Sequence, residues 1–160
     1  MDFSLRDFQP EDFESLWHID QQCFSPGISY SHRELQAYVR RPGSFTLVAE
    51  SALPHRSPQD HGFAGPLGFI VAEATRRGVG HIITIDVLPQ ARRAGLGSLL
   101  LAAAEARLQS AKCKAVILEV AVNNSAALAF YKRHRYDVMR TIPHYYSDGV
   151  DALLLGKPLA

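Results

Sequence analysis

Two arginines and two glycines crowd one point of the chain. Arg92-Arg93-Ala94-Gly95-Leu96-Gly97 stands where an apolar stretch ending in Ile85-Asp86-Val87 gives way to a long Ala/Leu run. A strand-to-helix turn bares the first backbone N–H groups of the helix, which have no intrahelical partner and carry the positive end of its dipole. Glycine removes the side chains that would hold a ligand off those amides, so a phosphate can sit directly on them. Arg92 and Arg93 add fixed cationic charge of the kind that suits a diphosphate. The segment has the parts of a diphosphate cradle. A tight turn with two solvated arginines would use the same residues, because G-x-G alone is a weak pattern.

Other phosphate motifs fit less well. A dinucleotide fingerprint needs a third glycine where this chain has Leu100, although Glu119 lies at about the spacing of a ribose-binding acid. Too little chain follows for two more βα units. A P-loop requires G-K-[ST], which is missing. The seven histidines are scattered without H-E-x-x-H or a Cys/His cluster, so no metal is expected. Cys23 and Cys113 have no activating neighbours in sequence and form no C-x-x-C.

The elements that must position this turn follow from periodicity. Strands are expected at Phe3–Phe8, Ser44–Glu50, Leu67–Thr75, Gly80–Leu88, Lys114–Val122, Tyr136–Ile142 and Val150–Leu159. Helices are expected from Pro10, over His32–Arg41 with Ser31 and Glu34 as a capping box, over Gly95–Ser110, and after an Asn123 or Asn124 cap. The order β-α-α-β-β-β-α-β-α-β-β makes an α/β (α+β) fold: a mixed sheet of about seven strands flanked by about four helices. Ser51 to Pro66, rich in proline and glycine, is expected to be a mobile surface insertion.

With 160 residues, 47% hydrophobic and 21% charged, the chain reads as one domain with a sizeable core. A net charge of +1 makes it neither a nucleic-acid binder nor a membrane-surface protein. No apolar run approaches a membrane span, and Met1-Asp2-Phe3-Ser4 does not open a leader, so a reduced cytoplasm is expected.

The strand, Arg92 to Gly97 and the helix behind them resemble the acetyl-CoA signature of the GNAT superfamily of N-acetyltransferases. "LEVAVNNSAALAFYKRHRYDV" and "HYYSDGVDALLL" resemble most the bacterial ribosomal-protein-alanine (protein N-terminal) acetyltransferases. The resemblance covers about Ile70 to Leu155 well. It implies acetyl-CoA as cosubstrate, its diphosphate on the amides of Arg93 to Ser98 and its pantetheine arm along Ile85, Asp86 and Val87, with Asn124 on the pantetheine side. It implies Glu119 as general base and Tyr131 as proton donor to the leaving thiolate.

Tyr30, Tyr145 and Tyr146 are candidate walls of the acceptor slot. The expected acceptor is a protein or peptide N-terminus, or else a small amine, and the expected assembly is a monomer or homodimer. A non-catalytic CoA-binding domain is the alternative from another class. Arg135-Tyr136 replaces the usual glycine-aromatic pair and is expected to alter that turn.

Overall fold

Residues 2–51 and 65–159 are described by the computed structural model, so most of the expected insertion, residues 52–64, lies outside the described residues. Seven strands form one sheet: β1 (Phe3–Asp7), β2 (Ser44–Ser51), β3 (Gly68–Ala74), β4 (Val79–Val87), β5 (Ala115–Ala121), β6 (Asp137–Ile142) and β7 (Ala152–Pro158). They lie in the order β1-β2-β3-β4-β5-β7-β6. Four helices, α1 (Phe13–Cys23), α2 (His32–Arg40), α3 (Leu96–Ser110) and α4 (Ser125–Arg133), complete the expected mixed architecture.

The period of two decides which helix each strand residue meets. Val48, Phe69 and Val71 point to the face covered by Leu16 and Ile19 of α1 and Leu35 of α2. Their neighbours Leu47, Ala49, Ile70 and Ala72 point to the other face, under Leu100, Leu101 and Ala104 of α3. Both faces of β2 and β3 are therefore buried, as their near-continuous apolar runs require.

Local signals act where they stand. Ser31 Oγ accepts from Glu34 N–H at 3.1 Å and Glu34 Oε1 accepts from Ser31 N–H at 3.0 Å, closing the capping box of α2. Pro10 begins a short 3-10 turn, Pro10–Asp12, and the α-helix proper starts at Phe13. At the end of α4, where the sequence lacks the glycine, Arg135 takes the left-handed conformation at φ 69°. Tyr136 N–H reaches back to the Tyr131 carbonyl at 3.0 Å, and this backbone closure holds the arginine in a region that glycine favours.

The sheet has one parallel junction, β4 with β5, and it is short. Val79, Gly80 and His81 pair with Ala115, Val116 and Ile117, and there the pairing stops. β5 continues against β7 from Ala115 to Ala121. β4 continues against β3 as far as Gly68↔Val87, with a bulge that leaves Ile83 between the Ile82 and Thr84 pairs. A bulge adds twist and turns its strand away. Beyond Ile117 the two central strands thus part into a wedge, and the turn from β4 into α3 stands at its mouth.

Candidate active site

α3 begins without a cap. Its N-cap residue is Gly95, at φ 83°, and no side chain caps the helix. The first helical hydrogen bond runs from Leu99 N–H to the Gly95 carbonyl at 3.1 Å, which leaves the amides of Leu96, Gly97 and Ser98 without an intrahelical acceptor. The two glycines serve different ends. A Cβ at Gly95 would meet nothing within 4 Å, so that position is fixed by its left-handed backbone; a Cβ at Gly97 would touch the Phe130 ring at 3.4 Å, so that position lets α4 close on α3. Arg93 also lies in the left-handed region, at φ 64°. Arg92 is anchored rather than loose: its Nε donates to the Val87 carbonyl at 3.0 Å.

The exposed edge of β4 faces the wedge. The Ile83 carbonyl accepts from Tyr30 Oη at 3.3 Å, and that of Val87 accepts from Arg92 and from the Cys23 thiol. Ile85 lies between them in the same phase of the strand, with its N–H and carbonyl turned the same way. Asp86 is in the opposite phase.

One cavity of about 940 Å³ runs through the wedge. Arg92, Arg93, Gly95, Leu96, Gly97 and Ser98 line one end. Ile85 and Val87 line one wall, Glu119, Asn124 and Tyr131 the other, and Tyr30, Tyr145 and Tyr146 the far end. Two of the expected residues, Asp86 and Ala94, are not on its surface. The Asp86 side chain is fully buried beneath β4. Asn124 is committed in part, because its Oδ1 accepts from Ala127 N–H at 3.1 Å and caps α4.

Glu119 is not alone. His81 Nε2 lies 2.7 Å from Glu119 Oε2, and His81 Nδ1 lies 3.6 Å from Glu73 Oε1. Glu73 in turn pairs with Arg41 at 3.0 Å. Burial pulls the His81 imidazolium down, but the hydrogen bond and charge of Glu119, with Glu73 behind, outweigh it, and the net shift is upward from the ordinary histidine range. His81 was not singled out by sequence reasoning. Its signal was a lone titratable residue in the apolar run "GHIITI", and its partner stands 38 residues away, where only strand pairing brings it near.

Tyr131 is held in its protonated form: burial raises its phenol, and the charges of Asp86 and Tyr146 add to the shift. Tyr145 and Tyr146 pack edge to face with centroids 4.9 Å apart. Burial, then the Glu119 charge, pushes the Tyr145 phenol up to about 12. The loop that carries them is tied to the loop before α2, where Ser147 Oγ donates to the Gly27 carbonyl at 2.7 Å. A Cβ at Gly27 would fall inside the Asp148 side chain, so glycine is what lets the two loops meet.

At the other end Ser98 Oγ lies 2.9 Å from His134 Nε2, a second histidine that the sequence left unremarked. Among the described residues no three His, Cys, Asp or Glu side chains gather as a metal site, and no helix is long and apolar enough to cross a membrane.

A sheet that parts at its one parallel junction, above a helix start stripped of its cap, is the frame of an acetyltransferase. Over residues 13–136 the chain matches the Acetyltransferase (GNAT) family, and it belongs to that family. Among named relatives, an N-alpha-acetyltransferase of Saccharolobus solfataricus is 37% identical over 99% of this chain and 94% of its own length. Two further archaeal N-alpha-acetyltransferases match over 50% of the chain, and there the match spans about half of the relative, 48%.

Among solved structures, Ard1 from Thermoplasma volcanium superposes with a TM-score of 0.85 at 25% identity, covering 100% of this chain and 99% of that one. The ribosomal-protein-S18-alanine N-acetyltransferase from Escherichia coli shares the fold, with a TM-score of 0.81 at 19% identity, over 99% of this chain and 95% of that one.

Proposed function

We propose that this chain acetylates the α-amino group of a protein or peptide N-terminus from acetyl-CoA, in the cytoplasm. The observation that carries the reading is the continuity of one cavity, from the uncapped amides of α3, past Glu119, to the tyrosine-walled mouth. The names of the relatives by sequence support the same acceptor. Two free thiols, Cys23 and Cys113, fit a reducing compartment.

The residues present suit the cosubstrate. The bare amides of Leu96 to Ser98 and the adjacent Arg92 and Arg93 would hold its diphosphate. The edge of β4 at Ile85 and Val87 would pair with its amide-bearing arm as an added strand, with Asn124 opposite. Bound there, acetyl-CoA supplies an acyl carbon activated as a thioester.

The protein's part is proton handling and orientation. An α-ammonium group has a pKa of about 8 and must lose a proton before it can attack. Glu119 and His81 form the accepting pair: Glu119 lines the cavity, and His81 behind it shares the proton, with the Glu73 charge beyond. Tyr131, held protonated, donates a hydrogen bond to the departing sulfur.

The test is release of free thiol from acetyl-CoA with a panel of N-terminal peptides and, alongside, free amines and polyamines. Thiol release with peptides is expected. Release with small amines alone moves the acceptor, and tight CoA binding with no release in any mixture leaves a binding domain. Glu119→Gln is expected to lower kcat about a hundredfold or more with cosubstrate affinity nearly unchanged.

The pH dependence has a definite sign. The raised His81 contributes stability that is complete below about pH 6.5 and is lost as pH rises through its elevated value. Proton acceptance gains over that same interval. Activity should therefore climb with pH while the His81–Glu119 contribution to thermal stability declines, and His81→Gln should flatten both profiles.

A further inference from the structure

Two aspartates beneath the wedge take no part in this chemistry. Asp20, on α1, and Asp86, on β4, are both fully buried. Asp20 Oδ2 accepts from Tyr30 N–H at 2.8 Å, and Asp86 Oδ1 accepts from the Thr84 hydroxyl. The remaining oxygens, Asp20 Oδ1 and Asp86 Oδ2, receive no donor. The two carboxyl groups lie where α1 packs on β4, close enough for each to shift the titration of the other. Two adjacent carboxylates in a dry setting repel and cannot both ionise at little cost. A single proton placed between them removes one charge and gives each orphan oxygen its partner, one as donor and the other as acceptor.

We propose that Asp20 and Asp86 hold one proton between them, and that this acid pair is a positioning device that seats the acceptor loop on the cosubstrate strand. Tyr30 is the joint. Its N–H is held by Asp20, its hydroxyl by the Ile83 carbonyl, and its own carbonyl by Trp17 Nε1 at 3.2 Å and Gln21 Nε2 at 2.7 Å. Tyr30 lines the far end of the cavity, so whatever fixes it fixes the acceptor wall. Removing the shared proton would set two charges face to face across the contact between α1 and β4, and would loosen that wall while leaving the amides of α3 as they are.

The surroundings fix the direction of the pH effect. Burial raises Asp86 well above the carboxylate range and raises Asp20 as well. The groups that face the pair are Cys23 on α1, Tyr30 in the loop, Glu34 on α2, Arg92 before α3 and Tyr131 on α4. Of these, Arg92 is the one cation; its charge, the Tyr30 amide and the Thr84 hydroxyl favour ionisation, Glu34 opposes it, and burial outweighs them. A group with a raised value in the folded state supports the fold below its ordinary pKa, and that support fades as pH climbs through the raised one. The clamp is therefore closed below that raised value and opens on its alkaline side.

The shared proton stands independently of the reaction, whereas its effect on the acceptor rests on the acetyl-transfer reading above, and the experiment separates the two. Carboxyl 13C NMR of Asp-labelled wild-type protein, titrated from pH 5 to 10, should show one buried aspartate that keeps its proton through neutrality. Titration of every aspartate in the ordinary range would overturn the proposal.

In kinetics, wild-type KM for the peptide should rise about tenfold on the alkaline side, with KM for acetyl-CoA steady. Asp20→Asn supplies a permanent donor to Asp86 and a permanent acceptor for Tyr30, so it should abolish that rise. Asp20→Ala should raise the peptide KM about tenfold at every pH. An alkaline rise unchanged in Asp20→Asn, or a parallel rise in KM for acetyl-CoA, would overturn the positioning role. Should the variants fail to fold, the wild-type titration and the wild-type split between the two KM values decide alone. A retained proton in a protein that transfers no acetyl group to any peptide would sink the acceptor role and leave the acid pair standing.

Discussion

The two helices that border the wedge begin in opposite ways. α4 starts on Asn124, whose side-chain oxygen satisfies the Ala127 amide, and α2 starts on the equally closed Ser31–Glu34 box. α3 starts on Gly95, which has no side chain to offer, and its first amides open into the cavity. A cap stabilises the free protein by about 1 kcal/mol. Its omission from α3, with arginines placed alongside, leaves the amides open to an acceptor from outside, in the proposed function the diphosphate. α4 borders the same cavity by another route: its backbone start is closed, and it reaches the cavity through side chains such as that of Tyr131.

Substitutions can break or sharpen that contrast. The largest effect is expected at Tyr131→Phe, which removes the hydroxyl proposed as donor to the leaving sulfur: kcat should fall about a hundredfold while acetyl-CoA affinity, read by calorimetry, stays within about twofold. Next is Gly95→Asp. Aspartate tolerates the left-handed backbone, competes for the amides and opposes the diphosphate, so acetyl-CoA affinity should fall about fiftyfold. Arg92→Ala should weaken that affinity about tenfold, because it removes one charge-assisted partner and frees the Val87 carbonyl. The smallest effect is expected at Asn124→Ala: about 1 kcal/mol less unfolding free energy in denaturant titration, with affinity changed only a few-fold. If Asn124→Ala weakened cosubstrate binding as much as Gly95→Asp, the two helix starts would not differ in role.

What could be read from the sequence was what is local along the chain. The uncapped helix start from Arg92 to Ser98 is contiguous, and so are the Ser31–Glu34 cap and the alternation of each strand. Pairs that meet only through the sheet were not legible. His81 finds Glu119 because β4 and β5 run parallel for three pairs, and Asp20 finds Asp86 because α1 crosses β4. Neither meeting leaves a spacing in the chain. Glu119 was read as a lone carboxylate and Asp86 only as backbone, and the fold gave each a partner. The turn at Arg135 shows a further limit: no glycine marks it in the sequence, and backbone bonds around Tyr136 hold the left-handed conformation that glycine favours.

The parting of β4 and β5 leaves a bare β-edge in the middle of a folded sheet, where most proteins tolerate one only at the rim. In the proposed binding mode acetyl-CoA would dock there as a temporary eighth strand, and a ligand that binds only the native state stabilises it with the logarithm of its concentration. Bound in that way, acetyl-CoA would raise the stability of the fold as its concentration rises, and its absence would leave the edge bare.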